Sequence, residues 1–232
     1  MVLLTAFVLV PVTVMNASDI PDQLAKKGPA GTEVITRPTI TRMEELPRLP
    51  VSVRQGEFLL DHPHLSMVLA RISDPKLDLY RVEVMPNGLI HITDPAGLAG
   101  DAEIVESVPG RRAYFVTGYF DVLKIRLRGR MLIKISYKEH TDEPRVSADA
   151  TTACYIKVDS SVVGVLAKVV NFIFPKKVDG RINRFVNAVR IVAAAVHDDP
   201  SGSYNKLASS GELSHAELSE FERFFLSTAG KE

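Results

Sequence analysis

Between residues 125 and 137 apolar and polar side chains alternate with few faults. Ile125, Leu127, Gly129, Met131, Ile133, Ile135 and Tyr137 fall on one file, and Arg126, Arg128, Arg130, Leu132, Lys134 and Ser136 on the other. A period of two sends successive side chains to opposite faces of a strand, so one face is predicted to be buried. Residues 146–158 repeat the pattern, with Val146, Ala148, Ala150, Thr152, Cys154, Ile156 and Val158 on the less polar file. Upstream, Tyr80, Val82 and Val84 alternate with Arg81 and Glu83. Pro86-Asn87-Gly88 then turns the chain into residues 89–93, and Asn-Gly is a strong hairpin signal. Residues 102–108, the turn Pro109-Gly110 and residues 112–122 complete the series. Short strands in succession predict an antiparallel meander with one buried face.

After Asp159 the period lengthens to that of a helix. Val162, Val163, Leu166, Val169, Val170 and Ile173 precede Pro175; Val178, Ile182, Phe185, Val186, Val189, Val192, Ala193 and Val196 follow it. A proline inside a helix removes a hydrogen bond and clashes with the preceding turn, so a break or bend is predicted there. His197-Asp198-Asp199-Pro200 marks the end of the stripe. Ser214 with Glu217 three residues on makes a capping box for a last helix over 214–226. Ahead of the meander, Asp61-His62-Pro63 predicts a helix start with Asp61 as its cap, followed by Leu65, Val68, Leu69 and Ile72 at helical spacing. Residues 51–58 suit a strand or a loop.

Five prolines (Pro21, Pro29, Pro38, Pro47 and Pro50) fall between residues 16 and 50, as in a linker. Residues 34–41 suit a short edge strand, against which Pro38 counts. Residues 2–15 are almost wholly apolar. That run is shorter than the roughly 20 residues a spanning helix needs. It suits a secretory signal or a membrane tether, with Ala17 as a cleavage point, and so predicts an exported or tethered protein; a buried strand is the alternative. The expected organisation is therefore a leader at 1–17, a linker at 18–50, a domain at 51–197 and an extension at 198–232.

Composition adds exclusions. The 232 residues hold 46% hydrophobic and 24% charged side chains, which excludes a disordered or collagenous chain. Lys+Arg and Asp+Glu balance at 28 each, which argues against a dedicated nucleic-acid binder. The lone Cys154 permits no internal disulfide and no cysteine-based zinc site. Charge is nevertheless uneven. Eight Lys/Arg stand against Asp121 alone between Arg111 and Lys138, and seven acids against three bases from Asp198 onward. Arg126, Arg128 and Arg130, with Lys176 and Lys177 near the proline, are candidates for docking on an anionic membrane surface; an ordinary solvated face is the alternative.

Reactive groupings are sparse. Asp61, His62, His64 and His91 match no metal-ligand spacing, and no metal or cofactor is expected. The nucleophile elbow, the phosphate-binding loop and the dinucleotide fingerprint are all missing from the sequence. Glu44-Glu45 and Asp198-Asp199 fall where loops are expected, and Cys154 lies on an apolar file, as an inert buried thiol does. Tyr114, Tyr137 and Thr152 are the polar members of apolar files. They read as core hydroxyls bonded to backbone, or as groups facing a cavity.

The order of a short helix after an extended segment, a meander of five or six strands and a long amphipathic helix resembles the START/Bet v 1-like (SRPBCC, helix-grip) superfamily, over roughly residues 51–196. Leu59-Leu60-Asp61-His62-Pro63, Pro86-Asn87-Gly88 and the passage from Val163-Gly164-Val165-Leu166 through Pro175 carry the resemblance. It implies an α+β fold in which a curved antiparallel sheet wraps a long C-terminal helix around an apolar cavity. Members bind lipids, sterols, polyketides and other hydrophobic molecules, and a minority are enzymes. Independently, Gly118, Gly129, Ala148, Ala150 and Cys154 are small residues on the buried files. They leave room for a ligand, or serve only to bend the strands.

The expected lining is Tyr114, Val116, Gly118, Phe120, Gly129, Met131, Ile133, Tyr137, Ala150, Thr152, Cys154, Ile182, Phe185 and Val189. The expected function is non-catalytic binding or transfer of a hydrophobic small molecule such as a lipid. The alternatives are a cyclase- or hydrolase-like enzyme in the same cavity and a membrane-tethered assembly module whose last helix recruits a partner.

Overall fold

The computed structural model describes residues 20–77, 80–94, 97–122, 125–140, 146–159 and 174–227. The leader and the segment 160–173 lie outside the described residues. So does the whole helical stripe ahead of Pro175, from Val162 to Ile173.

Seven strands form one antiparallel sheet: β1 (Ile40–Leu49), β2 (Arg81–Val84), β3 (Ile90–Asp94), β4 (Leu98–Val108), β5 (Arg111–Val122), β6 (Ile125–His140) and β7 (Ser147–Val158). Their order is β1-β7-β6-β5-β4-β3-β2, so the meander runs unbroken from β2 to β7 and β1 joins its far edge. The sheet is curved and does not close. The hairpin between β2 and β3 turns at Gly88, whose φ of 81° suits a residue without a Cβ.

Two helices bridge β1 and β2: α3 (Val53–Asp61) and α4 (Pro63–Ser73). The first starts on a capping box. The Ser52 hydroxyl accepts the Gln55 backbone N–H at 3.1 Å, and Gln55 Oε1 accepts that of Ser52 at 2.9 Å. This box settles residues 51–58 as mostly helical. Asp61 is not a cap: it closes α3, while His62 precedes Pro63 at the start of α4. The long helix α5 (Phe174–Asp198) carries Pro175 in its first turn, where a missing N–H costs nothing. Val178, Ile182, Val186, Val192, Ala193 and Val196 form its buried face.

The region expected to be a linker is structured from Ile20 onward. Helices α1 (Ile20–Ala25) and α2 (Pro29–Thr36) lead into β1. Each internal proline sits where its lost donor matters least. Pro29 opens α2, Pro38 precedes β1, and Pro47 lies at the bulge of this edge strand between Leu46 and Leu49. Ile20, Leu24 and Val34 pack on the convex face of the sheet against Val105, Phe115 and Leu132. The opposite face meets α3, α4 and α5 in a larger core.

Pro200 does more than stop α5. With Asp199 accepting the Gly202 N–H at 2.8 Å, it starts α6 (Pro200–Ser210). Next comes α7 (His215–Phe221), on the expected Ser214–Glu217 capping box, followed by one π-helical turn (Glu222–Leu226). This extension folds onto α3 and α4. His62 Nε2 lies 2.9 Å from Glu220 Oε2 and His64 Nδ1 lies 2.7 Å from Glu217 Oε1. Phe224 stacks on Phe58 with centroids 4.3 Å apart, and Phe221 and Phe225 are buried.

Candidate functional site

A line of glycines creases the sheet. Gly100, Gly118 and Gly129 stand opposite one another across β4, β5 and β6. A Cβ on Gly118 would come within 2.3 Å of the Ala99 carbonyl oxygen, and one on Gly129 within 2.5 Å of that of Lys157. Real Cβ atoms do not approach so closely, so the crease exists only because these positions lack a side chain. Curvature and space are therefore linked. The glycines bend the sheet toward α5, and the hollow lies along the bend.

That hollow is a cavity of about 340 Å³ between the sheet, α3, α4 and α5. It falls at the lower end of the roughly 300–1,000 Å³ of small-molecule sites. From the sheet, Tyr114, Val116, Gly118, Phe120, Gly129, Met131, Ile133, Tyr137 and Cys154 line it. From the long helix come Ile182, Phe185 and Val189. Ala150 and Thr152 share the file of Cys154 but do not line the cavity. Ala150 is packed in the core with Leu46, Val51 and Leu59. Thr152 is buried in the ladder between Glu44 and Ile135.

Sequence reading missed the roof: Leu59, Leu60, Pro63, Ser66, Met67 and Ala70 of α3 and α4 also face the hollow. The signal was present in the Leu65, Val68, Leu69, Ile72 stripe. Its neighbours on the helix supply a second apolar surface.

Polar groups gather at the two ends. At one end Asp94 is wholly buried and pairs with Arg181, whose guanidinium also lies 5.5 Å from the centre of the Phe120 ring. At the other end, Arg112 anchors α3 to β5. Its Nε and Nη2 donate to the two Asp61 oxygens at 2.7 and 2.8 Å, and Nη1 lies 3.3 Å from Glu57. The Tyr114 hydroxyl donates to the Leu60 carbonyl at 3.0 Å, and Ser66 Oγ to that of Leu59 at 2.6 Å. Tyr137 packs its ring against Gly56 of α3, so tightly that a Cβ there would stand 2.8 Å from Cζ. Burial raises the hydroxyl pKa of Tyr114 and Tyr137 well above the usual tyrosine value and pushes the Cys154 thiol up to about 12. These groups stay protonated at neutral pH. They can donate hydrogen bonds but cannot act as bases.

Other candidate residues have different partners. His91 pairs with Asp101 at 2.6 Å, and no group of three metal-ligating side chains occurs among the described residues. Of the basic strand face, Arg126 bonds Asp121 and covers the Tyr119 ring at 3.8 Å, while Arg130 bonds Asp159 at 2.7 Å. Arg128 and Lys176 are exposed; the side chain of Lys177 lies outside the described ones. Arg128 and Arg130, on either side of Gly129, also border the cavity, as do Arg181 and Arg184 of the long helix.

No family model and no curated protein matches the chain. A solved structure of an uncharacterized protein from Rhizobium leguminosarum is similar at 13% identity, over 66% of this chain and 93% of that one, with a TM-score of 0.31. A likeness at that level carries no argument. No helix among the described residues is long and apolar enough to cross a membrane.

Proposed function

We propose that this chain is a non-catalytic binder or carrier of a hydrophobic small molecule, of the START/Bet v 1-like kind, and that the ligand lies between the sheet and α5. One observation carries the reading. The cavity has an apolar lining in which no aspartate, glutamate or histidine occurs among the described residues. Hydrolytic or cyclising chemistry needs a group that takes or gives a proton near neutral pH, and the lining supplies protonated phenols and a protonated thiol instead. Apolar surface moved out of water contributes about 25 cal/mol per Å², which gives useful affinity without specialised chemistry.

The test is mass spectrometry under native conditions on protein purified without detergent, followed by exposure to a neutral long-chain alcohol. A carrier retains or takes up one apolar molecule per chain, and Ala188→Phe, which fills the cavity from α5, abolishes uptake. Protein that is empty and takes up nothing refutes the proposal. So does uptake that Ala188→Phe leaves unchanged.

A further inference from the structure

The charged residues that border the cavity are all of one sign. Arg128, Arg130, Arg181 and Arg184 line it, and no carboxylate does among the described residues. They gather at one end. Arg128 and Arg130 flank Gly129, which stands opposite Gly118, and Arg181 lies over the ring of Phe120, two residues further along β5. Arg184 follows Arg181 by three residues, on the same side of α5. At the opposite end Arg112 is held by Asp61 and Glu57, and none of these three lines the cavity.

The arginine end carries an excess of positive charge. Arg130 pairs with Asp159 and Arg181 with the buried Asp94, while Asp121 is taken by Arg126. Neither Arg128 nor Arg184 has a carboxylate partner among the described residues. Both line the cavity and are exposed, which places them at its mouth. Burial holds the Arg181 guanidinium below its usual pKa; the Tyr80 phenol opposes this and the nearby charge of Arg184 adds to it. An anion at the mouth offsets that repulsion. Guanidinium groups grip carboxylate and phosphate oxygens through paired N–H donors. Beyond the mouth the lining is apolar, where a charge is costly and an apolar chain is not.

We infer that the ligand is an amphipathic oxyanion, an apolar tail ending in a carboxylate or phosphate, with its head on Arg184 and Arg181 at the mouth and its tail running toward Tyr114 and Tyr137. This rests on the carrier reading and gives it a ligand class and a direction. Arg181 is a poor position to test, because its loss strands the buried Asp94. Arg184→Gln removes an exposed charge that pairs with no carboxylate, so the fold is retained. Lys176→Gln, exposed on the same helix and outside the lining, is the control for the general field of the protein.

Three probes share one tail: decanol, decanoate and decyl phosphate. Their affinities are measured at neutral pH by calorimetric titration of the wild type, Arg184→Gln and Lys176→Gln. At least one of the two anions is expected to bind the wild type fivefold or more tighter than decanol, and the tighter of them identifies the head. That anion is expected to lose at least fivefold on Arg184→Gln and less than twofold on Lys176→Gln, while decanol changes by less than twofold on either. Decanol binding as tightly as both anions overturns the inference and leaves the carrier reading standing. So does an Arg184→Gln effect that is equal for anion and alcohol, or that Lys176→Gln reproduces. Failure of all three probes to bind the wild type removes the carrier reading itself.

Discussion

Gly118 and Gly129 stand opposite each other in β5 and β6, and neither has room for a Cβ. With Gly100 beyond, they make a hinge line along which the sheet folds toward the long helix. The cavity follows from this backbone property as much as from the side chains that line it.

The crease predicts that one substitution has opposite signs at two glycines. Gly118→Ala forces β5 away from Ala99 and Gly100 and should destabilise the protein by about 1–3 kcal/mol, as overpacking does. Gly180, exposed on α5 with nothing within 4 Å of its Cβ position, gains helix propensity. Gly180→Ala should stabilise by about 0.5–1 kcal/mol. Urea denaturation of both variants decides the matter; a neutral Gly118→Ala would show that the strands do not meet this closely.

Acid should loosen the C-terminal extension. Burial tends to raise the Glu217 carboxyl, but hydrogen bonds from the Ser214 backbone, from His64 and from the Ser214 hydroxyl outweigh it and hold the pKa below the usual 4.5. A carboxyl depressed in the fold adds stability above its ordinary value, and this is lost as pH falls through the lowered one. Because Glu217 is partly exposed, the amount is about 1 kcal/mol or less. Wild type should melt higher than Glu217→Gln at pH 7, with the two curves converging below pH 4.5. A difference that persists at pH 3 contradicts this assignment.

Cys154 offers a chemical check. A thiol raised to about 12 by burial holds almost no thiolate at pH 8, and the thiolate is the nucleophile. Alkylation of the native protein by iodoacetamide should be at least a hundredfold slower than in denaturant. Comparable rates would place the thiol in contact with solvent.

The meander was legible because alternation fixes which face of each strand is buried. Ile125 to Tyr137 and Val146 to Val158 carry that signal residue by residue. The N-terminal elements were not, since prolines at element boundaries look in sequence like prolines in a linker. Leu132 held a clue: an apolar residue on the arginine file, it is buried under α1 and α2. The cavity was legible only in part. Local pattern places Tyr137 and Cys154 on the inner face. It cannot say that the cavity takes in Cys154 and passes Ala150 by, because that depends on how helices far away in sequence pack over the sheet. The same holds for Asp61, whose local role as a cap gives way to a long-range bond with Arg112.

The most direct measurement follows methyl resonances while a neutral apolar probe is added. Ile133 lies on the sheet and Ile182 and Val189 on the helix, on opposite walls of the hollow. Val84 and Val146 are exposed, at 55% and 46%, and serve as controls. The account predicts that the two walls shift together and saturate at one probe per chain while the controls stay still. Shifts confined to the surface methyls, or none that saturate, would contradict it.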